Sequence, residues 1–287
     1  MRLKMFGPLL AMGLCAMAAP HPEMLVSTDW LAQHLNDSKL VILQVSANRN
    51  AYDEGHIPGA RFVALSDLAV ARNGVPNELP PDADLKRVLE AVGVSDDSRV
   101  ILYGDASVLP ATRAFFTLDY LGHANHAMLD GGLGKWAAEN RMLSKDAPAA
   151  MAGHFTPHPH PELVVQYDQV SAMAKRPAAD AHSPVLLDVR PAADFTGEKG
   201  SHIPTAVNAN WVDSQVSPKE QTLKSADVLM SLYEKLGVKP GSSVVTYCNS
   251  GMQASQSYFT LKYLGYDVKM YDGSMSEWHQ KGAPVEK

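Results

Sequence analysis

The apolar positions of this chain fall into two kinds of run. Short, nearly continuous ones, such as Val185-Leu186-Leu187-Asp188-Val189 and Val244-Val245-Thr246-Tyr247, have the pattern of strands covered on both faces. Longer ones are spaced for helices. Over 226–236, Val228, Leu229, Leu232, Tyr233 and Leu236 share one face; from about 253 to 264, Tyr258, Leu261 and Leu264 turn inward before Gly265 ends the run. The two kinds alternate, which predicts an α/β fold with parallel sheets flanked by helices.

The order of these runs occurs twice. Val41-Ile42-Leu43-Gln44-Val45, followed by His56-Ile57-Pro58-Gly59-Ala60, is echoed by Val185-Leu186-Leu187-Asp188-Val189 and His202-Ile203-Pro204-Thr205-Ala206. Val100-Ile101-Leu102-Tyr103-Gly104 returns as Val244-Val245-Thr246-Tyr247-Cys248, and Phe116-Thr117-Leu118-Asp119-Tyr120-Leu121-Gly122 as Phe259-Thr260-Leu261-Lys262-Tyr263-Leu264-Gly265. Asp130-Gly131-Gly132, leading to Trp136, returns as Asp272-Gly273-Ser274, leading to Trp278. Two tandem copies of one domain are expected, at 22–146 and 162–287. Residues 147–161, rich in proline and without periodicity, form the linker. Its His154, His158 and His160 are separated by prolines and are read as solvated linker rather than a metal centre.

At 287 residues, 46% hydrophobic and 20% charged, the chain is long enough for two ordinary domains and apolar enough for a core in each. A formal net charge of −6 argues against a dedicated nucleic-acid binder, whose affinity needs a basic surface. Within residues 1–19, Arg2 and Lys4 precede an apolar run that ends in Ala16-Met17-Ala18, the pattern of a secretory signal peptide. That run is too short, and too soon followed by Pro20 and Pro22, to span a bilayer in the mature protein. The expected location is periplasmic or secreted, with no membrane contact after signal cleavage. Cys15 leaves with the signal, so Cys248 remains without an internal disulfide partner in a compartment that permits disulfides.

Cys248 follows strand 244–247 directly and opens a loop of small and polar residues, Cys248-Asn249-Ser250-Gly251-Met252-Gln253. A loop between a buried parallel strand and a helix lies at the carboxyl edge of the sheet, where open α/β folds bind ligands. Its backbone N–H groups can turn inward as a nest, and the helix adds the positive end of its dipole. Both favour an anion and predict a thiol pKa below the free value of about 8.5. Cysteine-based phosphatases and arsenate reductases use the same device but need an arginine at the loop's end to bind the oxyanion. Here Ala254 stands in that place and no Arg or Lys follows Cys248 before Lys262, so that chemistry is disfavoured.

The repeat, the two His-Ile-Pro motifs, the strand-Cys-loop-helix unit and the closing Asp272-Gly273-Ser274-Met275-Ser276-Glu277-Trp278 resemble the two-domain rhodanese sulfurtransferases, which include thiosulfate and 3-mercaptopyruvate sulfurtransferases. The resemblance covers nearly all of the mature chain. In that family the first copy has lost its cysteine and the second is catalytic, and Gly104 in the place of Cys248 agrees. The resemblance implies a ping-pong cycle in which Cys248 takes a sulfane sulfur from a small anionic donor. It then holds a persulfide until a thiol or cyanide acceptor removes it. No metal, nucleotide or organic cofactor is expected.

Around catalytic Cys248, the substrate-binding set is Asn249, Ser250, Gly251, Met252, Gln253 and Arg190. Thiosulfate-preferring relatives carry basic residues in the loop and mercaptopyruvate-preferring ones resemble Cys-Gly-Ser-Gly; this loop lies between them. Ser250, and His56 if it faces the cleft, are candidates for proton transfer. Alternatively Ser250 satisfies a loop carbonyl and His56 caps a turn beside Pro58, as the matching His202 suggests. Arg190, just behind strand 185–189, is a candidate partner for a donor's sulfonate or carboxylate. The other reading ties it to Asp188, Asp194 or Glu277. Lys199 is the other local cation. Trp30, Trp136, Trp211 and Trp278 are assigned to core or domain interface. Two alternatives to a small-molecule enzyme stay open: a persulfide carrier fed by a partner, and a non-catalytic rhodanese-like binding module. An exported thiolate with no resolving cysteine also implies a protein reductant or acceptor.

Overall fold

Each half of the chain folds around its own parallel sheet. The computed structural model describes residues 20–146, 148–149, 151–176, 184–196, 200–217 and 220–287. The segment 1–19, with Cys15, and Lys199 lie outside the described residues. The first half contains strands β1 (Leu25–Val26), β2 (Leu40–Ser46), β3 (Arg61–Ala64), β4 (Val70–Arg72), β5 (Val75–Glu78), β6 (Arg99–Tyr103) and β7 (His126–Leu129). Its helices are α1 (Thr28–His34), α2 (Asn50–Glu54), α3 (Asp82–Ala91), α4 (Leu109–Tyr120) and α5 (Gly132–Ala138). The sheet order is β1-β7-β6-β2-β3 with every pair parallel, while β4 and β5 form a separate antiparallel ribbon.

The second half contains α6 (Tyr167–Met173), β8 (Val185–Asp188), α7 (Ala192–Thr196), β9 (Val207–Asn208), α8 (Ala226–Lys235), β10 (Ser243–Tyr247), α9 (Met252–Tyr263), β11 (Asp267–Met270) and α10 (Ser274–Gln280). Its sheet runs β11-β10-β8-β9, again all parallel. This is the α/β fold with two sheets that the pattern predicted. The continuous apolar runs are central strands: Val244, Val245 and Tyr247 are fully buried. Along α8 the inward line is Leu229 and Tyr233, both buried. Val228, expected on that face, is 51% exposed. It sits at the margin of the stripe, beside a cavity of about 770 Å³ that it shares with Ser231 and Leu232.

The halves meet through α4 and α9, which occupy the same place in each copy. Phe115 meets Phe259 edge-on at 4.8 Å and Phe116 meets Tyr258 at 4.9 Å, while the Thr112 and Ser255 hydroxyls are 3.0 Å apart. These matched pairs give the interface an approximate two-fold, and one apolar cluster continues from the first half into the second. Packed between its own sheet and α4, α9 is buried all round from Ala254 to Leu261. Its polar residues therefore need internal partners: Ser255 Oγ donates to the Met252 carbonyl, Thr260 Oγ1 to the Gln256 carbonyl, and Gln256 Nε2 to Ser214 Oγ.

In the linker His154, His158 and His160 are exposed, as expected, but the segment is tied down. Phe155 is 2% exposed, and the amides of Gly153, His158 and His160 donate to the Glu90, Leu121 and Tyr120 carbonyls, fastening the segment to the first domain. Its lack of periodicity reflects an extended segment laid across a surface. His160 pairs with Glu162 at 2.9 Å. Trp136 and Trp278 are buried at matching positions, their indole N–H groups donating to the Met142 and Pro284 carbonyls. Trp30 and Trp211 are half-buried against the cores.

Candidate active site

β10 ends at Tyr247, and the chain then turns through 248–251 into α9. Gly251 is the residue before the first turn of the helix and has φ +81. A β-carbon there would overlap the Asp272 carboxylate, so both the left-handed backbone and the close approach require glycine. Cys248 is 1% exposed and is the free cysteine of the described residues. Its Sγ accepts from the Ser250 amide at 3.4 Å, and the amides of Ala254, Gln253 and Gly251 also stabilise negative charge on it. The nest predicted for this loop is thus present.

The predicted direction of the thiol pKa is not. Burial pushes the Cys248 thiol above its ordinary value, and the four amides only partly offset that. Complete desolvation outweighs neutral N–H donors because no side-chain cation lies in the loop. The resting side chain is therefore the thiol. The ring of amides is then better matched to anions that arrive or form there, a donor's charge or a terminal sulfur, than to a permanent thiolate.

The loop rests on residues 272–276. Ser274 Oγ accepts from the Cys248 amide at 3.1 Å and from the Gly251 amide at 3.2 Å, and donates to the Tyr271 carbonyl at 2.9 Å. Ser274 is fully buried with φ +51, a costly conformation for a residue with a side chain, held here by these three bonds. The Met275 amide donates to the Cys248 carbonyl, and Ser276 donates to the Asn249 carbonyl through both its amide and its hydroxyl. None of this was read from the sequence as site chemistry. The signal was present, because Ser274 replaces Gly132 of the first copy.

Arg190 is buried, with Nε and Nη2 bonded to the Asp188 carboxylate and Nη2 also to the Ser201 carbonyl. Burial alone would lower its pKa, but the Asp188 pair raises it overall, so the guanidinium is always charged. Its Nη1 reaches Asn249 Oδ1 at 3.3 Å. Arg190 therefore touches the loop, with most of its hydrogen-bonding capacity already used. Ser250 Oγ accepts from Asn77 Nδ2 of the first domain at 2.9 Å rather than capping a loop carbonyl. Met252 and Gln253 form the first turn of α9 and are half-buried.

His56 is buried, stacked on Tyr52 with centroids 3.9 Å apart, its Nδ1 on the Tyr52 carbonyl. His202 repeats this against Phe195 at 3.7 Å. Both belong to turns, and the structure does not bring His56 to Cys248.

The chain thus combines a duplicated parallel α/β fold with a cysteine, present in one copy, inside a ring of amides at the sheet's carboxyl edge. The rhodanese-like domain matches residues 27–139 and 167–281, and the chain belongs to the rhodanese-like family. It is 35% identical to the sulfur carrier protein TtuD of Thermus thermophilus, over 94% of this chain and 99% of that one. It is 32% identical to a thiosulfate sulfurtransferase of Pseudomonas aeruginosa (89% and 94%) and 30% identical to the 3-mercaptopyruvate sulfurtransferase of Escherichia coli (91% and 97%). In fold it is similar to the anaerobic ergothioneine biosynthesis enzyme of Chlorobium limicola, with a TM-score of 0.81 at 23% identity, covering 92% of this chain and 70% of that one.

Proposed function

We propose that this sulfurtransferase carries sulfur as a persulfide on Cys248, loaded from thiosulfate or 3-mercaptopyruvate and discharged to a thiol or cyanide. With thiosulfate, Cys248 gives up its thiol proton to solvent, its sulfur bonds to the sulfane sulfur, the S–S bond of the donor breaks, and sulfite leaves with the electron pair. With 3-mercaptopyruvate the donor's C–S bond breaks and the carbon keeps the pair, gaining a proton to give pyruvate. The acceptor then attacks the outer sulfur and returns Cys248. The observation that carries this reading is the ring of amides from Ser250, Gly251, Gln253 and Ala254 about Sγ, in a loop with no charged side chain. Such a ring stabilises an anionic terminal sulfur without a counter-cation to trap it.

Arg190 is the cation that bonds a loop side chain, and in this reading its Nη1 beside Asn249 is the group a donor's carboxylate or sulfonate would meet. Steady-state rates with each donor, for the wild type and Arg190→Lys, test this. A rise in KM for one donor supports recognition by Arg190, whereas unchanged KM for both removes it from the binding set.

A partner-fed carrier is the second reading. Its specific support is the deep burial of Cys248, which favours a donor presented by a docked protein over one diffusing from solvent. Failure of both small donors to load an otherwise alkylatable Cys248 would select it. Export to the periplasm or outside the cell, with a reductant or thiol acceptor there, completes the proposal. Its support is the basic-then-apolar pattern of residues 1–19. Cell fractionation with amino-terminal sequencing tests it, and recovery of uncleaved protein in the cytoplasm would refute it.

A further inference from the structure

The first domain has no cysteine, yet two of its side chains reach the catalytic loop and its bed. Arg113, on α4, is fully buried and grips the Asp272 carboxylate with both ends of its fork, Nη1 to Oδ1 at 2.5 Å and Nη2 to Oδ2 at 2.9 Å. Asp272 Oδ2 also accepts from the Leu79 amide at 3.2 Å. Gly251 lies directly on this pair: a β-carbon there would meet Asp272 and Arg113 Nη1. Two residues after Asp272 comes Ser274, whose hydroxyl holds the Cys248 and Gly251 amides. Asn77, at φ +60, independently bonds Ser250 Oγ.

We propose that Arg113 and Asn77 are positioning residues, through which the first domain holds the Cys248 loop in its anion-binding shape. This rests on Cys248 being the reacting group. The approximate two-fold separates this role from simple domain adhesion, because a contact needed only to join the halves would be expected on both sides. On the opposite side Asp130 does accept from the Leu223 amide at 3.0 Å, mirroring Asp272 and Leu79. Among the described residues Asp130 meets no buried guanidinium, and its cation is Lys135 at 3.9 Å. The α9 counterpart of Arg113, by the Phe116 and Phe259 match, is Gln256, which bonds Ser214 Oγ. The bidentate clamp is therefore confined to the side that carries the cysteine. A buried pair of this kind is poor evidence for stability but good at fixing one geometry.

The test uses the full chain with Arg113→Lys, Asn77→Ala and their combination, each checked for native circular dichroism. Two quantities are read: the pH dependence of Cys248 alkylation by iodoacetamide, and the kcat and KM of persulfide loading from thiosulfate. The expected result is a fall in loading kcat of about tenfold for each single variant, with KM little changed, because a small displacement of the amides is felt at the reacting sulfur. The midpoint of alkylation should move to higher pH as the amides withdraw. Folded variants with wild-type kcat and an unchanged alkylation profile would overturn the proposal, even if their melting temperature fell. Should Arg113→Lys fail to fold, Asn77→Ala decides alone. If the wild type takes no sulfur from thiosulfate, the small-donor reading has failed, and the alkylation profiles still decide this one.

Discussion

The turn after β6 and the turn after β10 start from the same place in two copies of one domain, and they present opposite dipoles to it. At Gly104 a β-carbon would collide with the Ser107 carbonyl oxygen, so the negative end of a peptide fills the position of the missing side chain. At Cys248 that space holds a sulfur, and the positive ends of four peptides face it. The beds differ too. Ser274 holds two loop amides through its hydroxyl, whereas Gly132 at φ +53 offers no side chain, although the Leu133 amide still reaches the Gly104 carbonyl as Met275 does Cys248. The two copies therefore differ by more than a cysteine: in the first, a peptide oxygen occupies the place where the second directs N–H groups.

The largest effect is expected from deforming the Cys248 loop. Gly251→Ala must place a β-carbon at positive φ and against Asp272, and should destabilise the protein by about 3 kcal/mol. Sulfur loading should fall to background, as read by chemical denaturation and donor turnover. Next is transplantation of the cysteine. Gly104→Cys in a Cys248→Ser background should cost about 2 kcal/mol through overpacking against Ser107 and restore no sulfur loading. Any recovered turnover would show that the first loop keeps a usable nest.

Ser274→Gly gives the bed of the Cys248 loop the residue found in the first copy. It leaves the Cys248 and Gly251 amides short of a partner while relieving the strained φ, for a net loss of about 1 kcal/mol and a marked slowing of loading. Gly132→Ser should leave loading untouched. A pH titration sharpens the electrostatic half of the contrast. Because burial raises the folded thiol above about 8.5, its contribution to stability is present below that pH and lost as pH climbs through the raised value. Relative to Cys248→Ala, the wild type should lose stability in alkali, while its alkylation rate keeps rising beyond the range of a free thiol. Smallest of all, His56→Gln and His202→Gln should each cost about 1 kcal/mol through lost stacking and leave loading unchanged. A selective loss of turnover in His56→Gln would return that residue to the chemistry.

The parallel sheets, the duplication and the position of Cys248 were legible because they are written in local periodicity and in repeated motifs. Val228 was misplaced because a helical face read from sequence has no sharp edge, and residues at its margin are assigned only by what packs there. The thiol pKa was misjudged for a related reason. The amides of a nest can be inferred from loop length and glycine, but the depth at which the core buries the sulfur cannot. Asn77 on β5 and Arg113 on α4 lie far from Cys248 in sequence and meet its loop and bed only when the two halves pack together. Ser274 could have been found by laying the two copies side by side, since Asp130-Gly131-Gly132 and Asp272-Gly273-Ser274 differ at that residue alone.

In the proposed cycle the amides around Cys248 hold a transferable sulfur. Intact-mass spectrometry of the protein after separate incubation with thiosulfate and 3-mercaptopyruvate, beside Cys248→Ser, tests it directly. The wild type should gain one sulfur atom, absent in the variant and removed by cyanide. No added mass with either donor, on a protein whose Cys248 still reacts with iodoacetamide, would contradict it and leave a partner-fed carrier as the reading to pursue.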